Sequence, residues 1–164
     1  MKKACMFFLV MVLLSGCGKG KYEVRQAPCG TEVETPAPGV ITICVTDEMS
    51  TPVMNTQEGD RLYIADNYEV SLQTLAGCSV EETLKNCTGF DRSKLMVIET
   101  QKDGMKRYDC AWSAVGEGTQ FVGRTTILDD GDFHYVLTVT GDDGETVADA
   151  WQQLADSFTV SIAQ

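Results

Sequence analysis

Between residues 40 and 140 apolar and polar positions alternate mostly with a period of two, the signature of half-buried strands. The run VITICV at 40–45 is continuously apolar and predicts a short buried strand. In RLYIADNYEVSLQTL (61–75), Tyr68, Val70 and Leu72 alternate with Glu69, Ser71 and Gln73, and Asp66-Asn67 marks a turn between two strand segments. The stretches KLMVIET (94–100) and KRYDCAWSAV (106–115) flank Lys102-Asp103-Gly104, and Asp-Gly is a strong hairpin signal. The second of them puts Tyr108, Cys110 and Trp112 on one face. QFVGRTTIL (120–128) and FHYVLTVT (133–140) flank Asp129-Asp130-Gly131-Asp132, with Phe133, Tyr135, Leu137 and Val139 on the apolar face of this second hairpin.

Two stretches break the alternation. Ser79-Val80-Glu81-Glu82 fits a capping box, in which hydroxyl and carboxylate satisfy orphan N–H groups reciprocally, and predicts a short helix ending near Asn86. From Thr146, the residues Val147, Trp151, Leu154 and Phe158 form one helical stripe, which faces a core, most simply the apolar face of the preceding hairpin. FTVSI then resumes period two. The expected fold class is α+β, an antiparallel sheet of five to seven strands with two packed helices.

The order of elements is paired early strands, a helix, four consecutive strands, a long helix and a short last strand. With the closing segment Trp151-x-x-Leu154-x-x-Ser157-Phe158, residues 40–162 resemble the Mog1/PsbP-like fold. That resemblance implies an α/β/α sandwich, and bacterial members of the family are often non-catalytic lipoproteins. Cystatin-like and NTF2-like sheets are the alternative arrangements.

The first residues address the chain. Lys2 and Lys3 precede an apolar core of 11 residues, 4–14. A membrane span needs about 20, so the pattern is that of a cleaved export signal. Its end, Leu14-Ser15-Gly16-Cys17, resembles the lipobox of bacterial lipoproteins. The resemblance implies cleavage before Cys17, a diacylglyceryl group on its thiol, acylation of the new N-terminus (palmitate is the expected chain), and hence a membrane anchor at Cys17. The organisation is then 1–16 signal peptide, 17–39 flexible tether containing three prolines, and 40–164 a single domain. The expected location is the extracytoplasmic face of the cell membrane, or of the outer membrane in a cell that has one.

Charge narrows the partners. Loss of Lys2 and Lys3 leaves 11 of the 13 Lys and Arg residues against 24 Asp and Glu, a mature net charge of −13. So acidic a body excludes nucleic acid, which selects clustered cations. Export permits disulfides, but with Cys5 removed and Cys17 lipidated, Cys29, Cys44, Cys78, Cys87 and Cys110 are an odd set. A helix between Cys78 and Cys87 would hold them roughly 13 Å apart, beyond the roughly 7 Å a disulfide spans. Cys44 and Cys110 lie in strand-like runs and are the candidate bridge; buried free thiols are the alternative.

Catalytic signals are sparse. His134 is the sequence's one histidine and alternates with Phe133 and Tyr135, which places it on a polar strand face. Neither Cys-x-x-Cys nor a histidine pair is present, so no zinc site is expected. Asp129, Asp130 and Asp132, and likewise Asp142-Asp143-Gly144-Glu145, lack the alternation and terminal Glu of a calcium loop and read as turns. Gly116-Glu117-Gly118, without a phosphate-loop lysine, reads as a bend. Tyr108 and Trp112 either line a ligand groove or belong to the core. The expected function is a lipid-anchored, extracytoplasmic, non-enzymatic protein-binding or assembly/accessory module at the cell envelope, without cofactor or metal. The alternative is a small-ligand or glycan-binding lipoprotein.

Overall fold

The computed structural model describes residues 37–162 except 47, 48, 58 and 117. The expected signal peptide, the expected lipobox with Cys17, Cys29 and the expected tether up to residue 36 lie outside the described residues.

The chain forms β1 (Val40–Thr42), β2 (Met54–Asn55), β3 (Arg61–Ile64), β4 (Tyr68–Ala76), α1 (Val80–Thr88), a 3-10 turn (Arg92–Lys94), β5 (Val97–Lys102), β6 (Met105–Gly116), β7 (Thr119–Asp129), β8 (Phe133–Gly141), α2 (Gly144–Ser157) and β9 (Thr159–Ser161). Seven strands make one antiparallel sheet in the order β2-β3-β4-β8-β7-β6-β5, and β1 pairs with β9 in a separate two-stranded sheet. Among the described residues no helix is long and apolar enough to cross a membrane.

Local chemistry sets the boundaries. The capping box forms as predicted: Ser79 Oγ accepts from Glu82 N–H (3.2 Å), and Glu82 Oε2 accepts from Ser79 N–H (2.9 Å). α1 runs two residues past Asn86 because Gly89, at φ 79°, adopts the left-handed conformation that ends it. α2 begins two residues before Thr146, since the cap is Asp143, whose Oδ2 accepts from Thr146 N–H at 2.8 Å. The Asp103-Gly104 turn has φ 52° and 83°, the pair of positive values that a two-residue hairpin loop uses. The predicted strand at 40–45 is shorter than its apolar run and belongs to the small sheet, and β2 has no precursor in the sequence reading.

Both faces of the large sheet are covered. α2 lays Val147, Leu154 and Phe158 on Val70, Leu72, Tyr135, Leu137 and Val139. α1 lays Leu84 on Tyr108, Cys110, Ile127 and Val136, the opposite face of the same strands. The helical stripe therefore meets the apolar face of the β7–β8 hairpin, as its periodicity implied.

Where the described chain begins it is fastened to this body. Tyr135 Oη accepts from Gly39 N–H (2.7 Å) and donates to Asp130 Oδ2 (2.7 Å). Burial raises the pKa of Asp130, but hydrogen bonds from Phe133 N–H, Tyr135 Oη–H and Asp132 N–H outweigh it and hold the carboxyl below the usual range. A carboxyl whose pKa is depressed on folding contributes stability above its unfolded pKa of about 4 and loses it as pH falls through the folded value. Urea titrations at pH 6 and pH 3 are therefore expected to show a smaller acid-induced loss for Asp130→Asn than for wild type. An equal loss in both would remove Asp130 from the account.

Candidate functional site

The α1 face carries the one imidazole. His134 pairs across β7–β8 with Asp129, and its Nδ1 lies 2.7 Å from Thr83 Oγ1, while Nε2 stands 3.7 Å from Asp129 Oδ1. A Thr–His–Asp series is the layout of a nucleophile, its base and an orienting acid. Here Thr83 is 0% and His134 6% exposed, so the series fastens α1 to the sheet inside the packing instead of presenting a nucleophile to solvent. Strand alternation predicts a polar face for His134. That is corrected: the residue alternates with an apolar face, but α1 covers its own side as well.

The aspartates after β7 serve the turn. Asp129 Oδ1 accepts from Gly131 N–H (2.8 Å), and Asp130 Oδ1 accepts from Asp132 and Phe133 N–H (3.0 and 2.7 Å). These are the local hydrogen bonds that make Asp a turn residue. No group of three or more His, Cys, Asp or Glu placed to hold a metal occurs among the described residues.

On the α2 face a polar network lies between β6, β7 and the helix. Arg107 Nε donates to Asp109 at 3.0 and 2.8 Å, Thr126 Oγ1 donates to Asp109 at 2.7 Å, and Trp151 Nε1 donates to Thr126 Oγ1 at 2.9 Å. Arg107 and Arg124 both stand over the Trp151 ring, 5.9 and 5.3 Å from its centroid, within cation–π range. Arg107 is neutralised by Asp109; Arg124 has no carboxylate partner among the described residues.

Tyr108 and Trp112 share a face but not a groove. Tyr108 is 6% exposed beneath α1 and is a core residue, and burial raises its hydroxyl pKa. Trp112 lies half-buried further along β6, its Nε1 donating to Thr125 Oγ1 (3.2 Å), which is 3.2 Å from Thr138 Oγ1. The indole packs against Gly123, the cross-strand partner of Trp112; a Cβ there would collide with the ring. Gly123→Ala is therefore expected to lift the indole, break its bond to Thr125 and cost about 1–3 kcal/mol as an overpacked site. A red shift of tryptophan emission in a Trp151→Phe background reads the displacement, and unchanged emission would contradict it.

Two surface grooves among the described residues do not involve these aromatics. One, about 380 Å³, runs between Pro38–Ile41 and Asn55, Arg61 and Thr74, with Arg61 Nη2 donating to Ile41 O at 2.8 Å. The other, about 260 Å³, is a dent between Asp149, Gln152, Gln153 and Asp156 on the outer side of α2.

The candidate Cys44–Cys110 bridge is overturned. Cys44 N–H donates to Ser157 Oγ on the α2 side, whereas Cys110 is buried beneath α1 across the sheet, and neither is in a disulfide among the described residues. Burial chiefly, with Cys110, Cys78 and Asp60 adding, pushes Cys87 up to about 12; burial and Asp109 push Cys110 up to about 11. Protonated thiols are poor nucleophiles. A thiol reagent at pH 8 is expected to modify exposed Cys44 at once and Cys87 and Cys110 only on unfolding. Prompt labelling of Cys110 would refute this packing.

No protein-family model and no curated protein matches the chain. Among solved structures the fold is similar to that of LpqN from Mycobacterium tuberculosis, a protein described as involved in cell envelope biogenesis. The TM-score is 0.51 at 14% identity, covering 79% of this chain and 87% of that one. At that identity the likeness is one of fold.

Proposed function

We propose that this chain is a lipid-anchored, non-enzymatic module that binds a protein partner at the extracytoplasmic face of the cell envelope. The observation that carries the reading is the fold likeness to an envelope-biogenesis protein in a chain whose N-terminus resembles a lipoprotein signal. The helix on each sheet face supports a Mog1/PsbP-like assignment, since it is the layering that resemblance implies. The polar side chains that suggest chemistry have structural duties: Thr83 and His134 join α1 to the sheet, and Asp129 and Asp130 build the hairpin turn. With a net charge of −13 after processing, the body is repelled by anionic lipid and held off it by the tether.

A second reading, a small-ligand or glycan-binding lipoprotein, draws on Trp112 alone, whose half-buried ring adjoins the Thr125 and Thr138 hydroxyls.

Crosslinking in intact cells, followed by affinity capture and mass spectrometry, tests the proposal with Cys17→Ala as the unanchored control. One dominant envelope protein, lost in the control, is the expected result. No enriched protein, together with a glycan that quenches Trp112 emission, would replace the proposal with the second reading.

A further inference from the structure

The margins of the seven-stranded sheet are blunted against further pairing except along one stretch. β2 closes one side and is two residues long, and a very short edge is a poor template for another strand. β5 closes the other side and carries Glu99 and Lys102, charges of the kind that discourage edge pairing. Yet β5 has 6 residues and its pairing stops at Val97 opposite Cys110, whereas β6 has 12 and continues to Gly116. Residues 111–116, AWSAVG, thus have β7 on one side and no strand on the other among the described residues. They contain no charge and no proline in a chain of which 23% is charged. Ala111, Ser113 and Val115, the last 76% exposed, face the α2 side, and Trp112 and Ala114 face the α1 side.

Resting on the partner-binding reading, we infer that this edge receives an extended segment of an envelope protein as an added strand, in line with β5. The slot admits about five residues at the ordinary strand rise. The open main chain of β6 supplies the hydrogen bonds; Val115 receives a side chain on one face, and on the other Ala114 and the free edge of Trp112, whose ring already meets Phe90 (6.5 Å between centroids), receive the next. Charge defines the segment further. Arg124 is the cross-strand partner of Ala111 on the α2 side and has no carboxylate of its own among the described residues. Only the Ala111 methyl separates the Arg124 position from the slot, and the guanidinium, over the Trp151 ring on the same face, attracts an acidic side chain there. The occupant is therefore extended and largely apolar, with one carboxylate.

Placement favours a protein over a lipid surface. The described chain enters at Gly39, bonded to Tyr135 beside the Asp130 turn. Val115 pairs with Gln120 at the other end of β7, roughly 30 Å away along the strand. Tether entry and open edge thus occupy opposite ends of the sheet.

The test places a photocrosslinking amino acid at Ser113 of the full chain in intact cells, with the exposed positions Gln101 and Gln153 as comparators. The expected result is an adduct to one envelope protein, at least tenfold stronger from Ser113 and abolished by Val115→Lys. Arg124→Glu should weaken it, and Arg124→Lys should restore most of it. In the purified complex those amides of 111–116 that point away from β7 should exchange at least tenfold more slowly, a signature that side-chain contact alone would not give. Adducts from Gln101 or Gln153 with Ser113 silent would overturn the edge assignment and leave the partner-binding reading standing. An adduct between two copies of the chain would overturn the occupant, unchanged amide exchange would overturn strand addition, and no adduct with no captured partner would overturn both readings.

Discussion

Replacing Phe158 with alanine is expected to remove about 3–5 kcal/mol of folding stability, as large-to-small changes at aromatic core sites do. Phe158 is 0% exposed and follows the last turn of α2, where it packs into the cluster of Leu72, Tyr135, Leu137, Val139, Val147 and Leu154. The next residue opens β9, whose Val160 pairs with Ile41 and so connects the core to the small sheet. Truncation at 158 therefore leaves a cavity and loosens both α2 and the β1–β9 pair. A net domain stability of ordinary size, about 5–15 kcal/mol, makes such a loss a large fraction of the whole. Urea denaturation reads it, with exposed Val115→Ala as a control expected within about 0.5 kcal/mol of wild type. A cost below about 1 kcal/mol for Phe158→Ala would mean that the cluster is not the stabilising core.

The second large effect concerns location. One acyl chain holds a protein to a membrane only marginally, and two or more anchor it stably. If Cys17 bears them, its removal strips every acyl chain at once. Cys17→Ala, expressed behind an ordinary cleavable export signal so that residues 1–16 do not themselves retain it, is expected to move from the detergent phase to the aqueous phase on phase partition. The shift should exceed tenfold, because the acidic body supplies no attraction to anionic lipid in compensation. A variant that stays in the detergent phase would place the membrane attachment elsewhere in the chain.

Much of the fold is legible in short patterns. Asp103-Gly104 and the Asp129–Asp132 turn mark both hairpins because their side chains and positive φ values act locally. Ser79 and Glu82 start α1 for the same reason, and the stripe of Val147, Leu154 and Phe158 names the face of α2 that is buried. What fails is whatever depends on the second covered face. Alternation marks His134 as facing away from the Tyr135 side, but whether that side meets water depends on α1, which arrives from 50 residues earlier. Thr125 and Thr138 are covered on the same side, 0% and 6% exposed, their hydroxyls bonded to each other and that of Thr125 also accepting from Trp112. The Cys44–Cys110 pairing fails because strand-like character says nothing about which side of a sheet a residue occupies. Tyr108 and Trp112 share a face, as their spacing says, yet the reach of α1 along β6 puts one in the core and leaves the other half-exposed. The open stretch at 111–116 is invisible from sequence, since it arises from the unequal lengths of β5 and β6 and from the sheet order.

Whether the protein is an envelope module held by its N-terminal cysteine is decided by the intact mass of the protein extracted from its own cells. The expected species begins at Cys17, lacks residues 1–16 and carries the mass of a diacylglyceryl group and an N-terminal acyl chain. An unmodified chain, or one that retains residues 1–16, would contradict that anchoring.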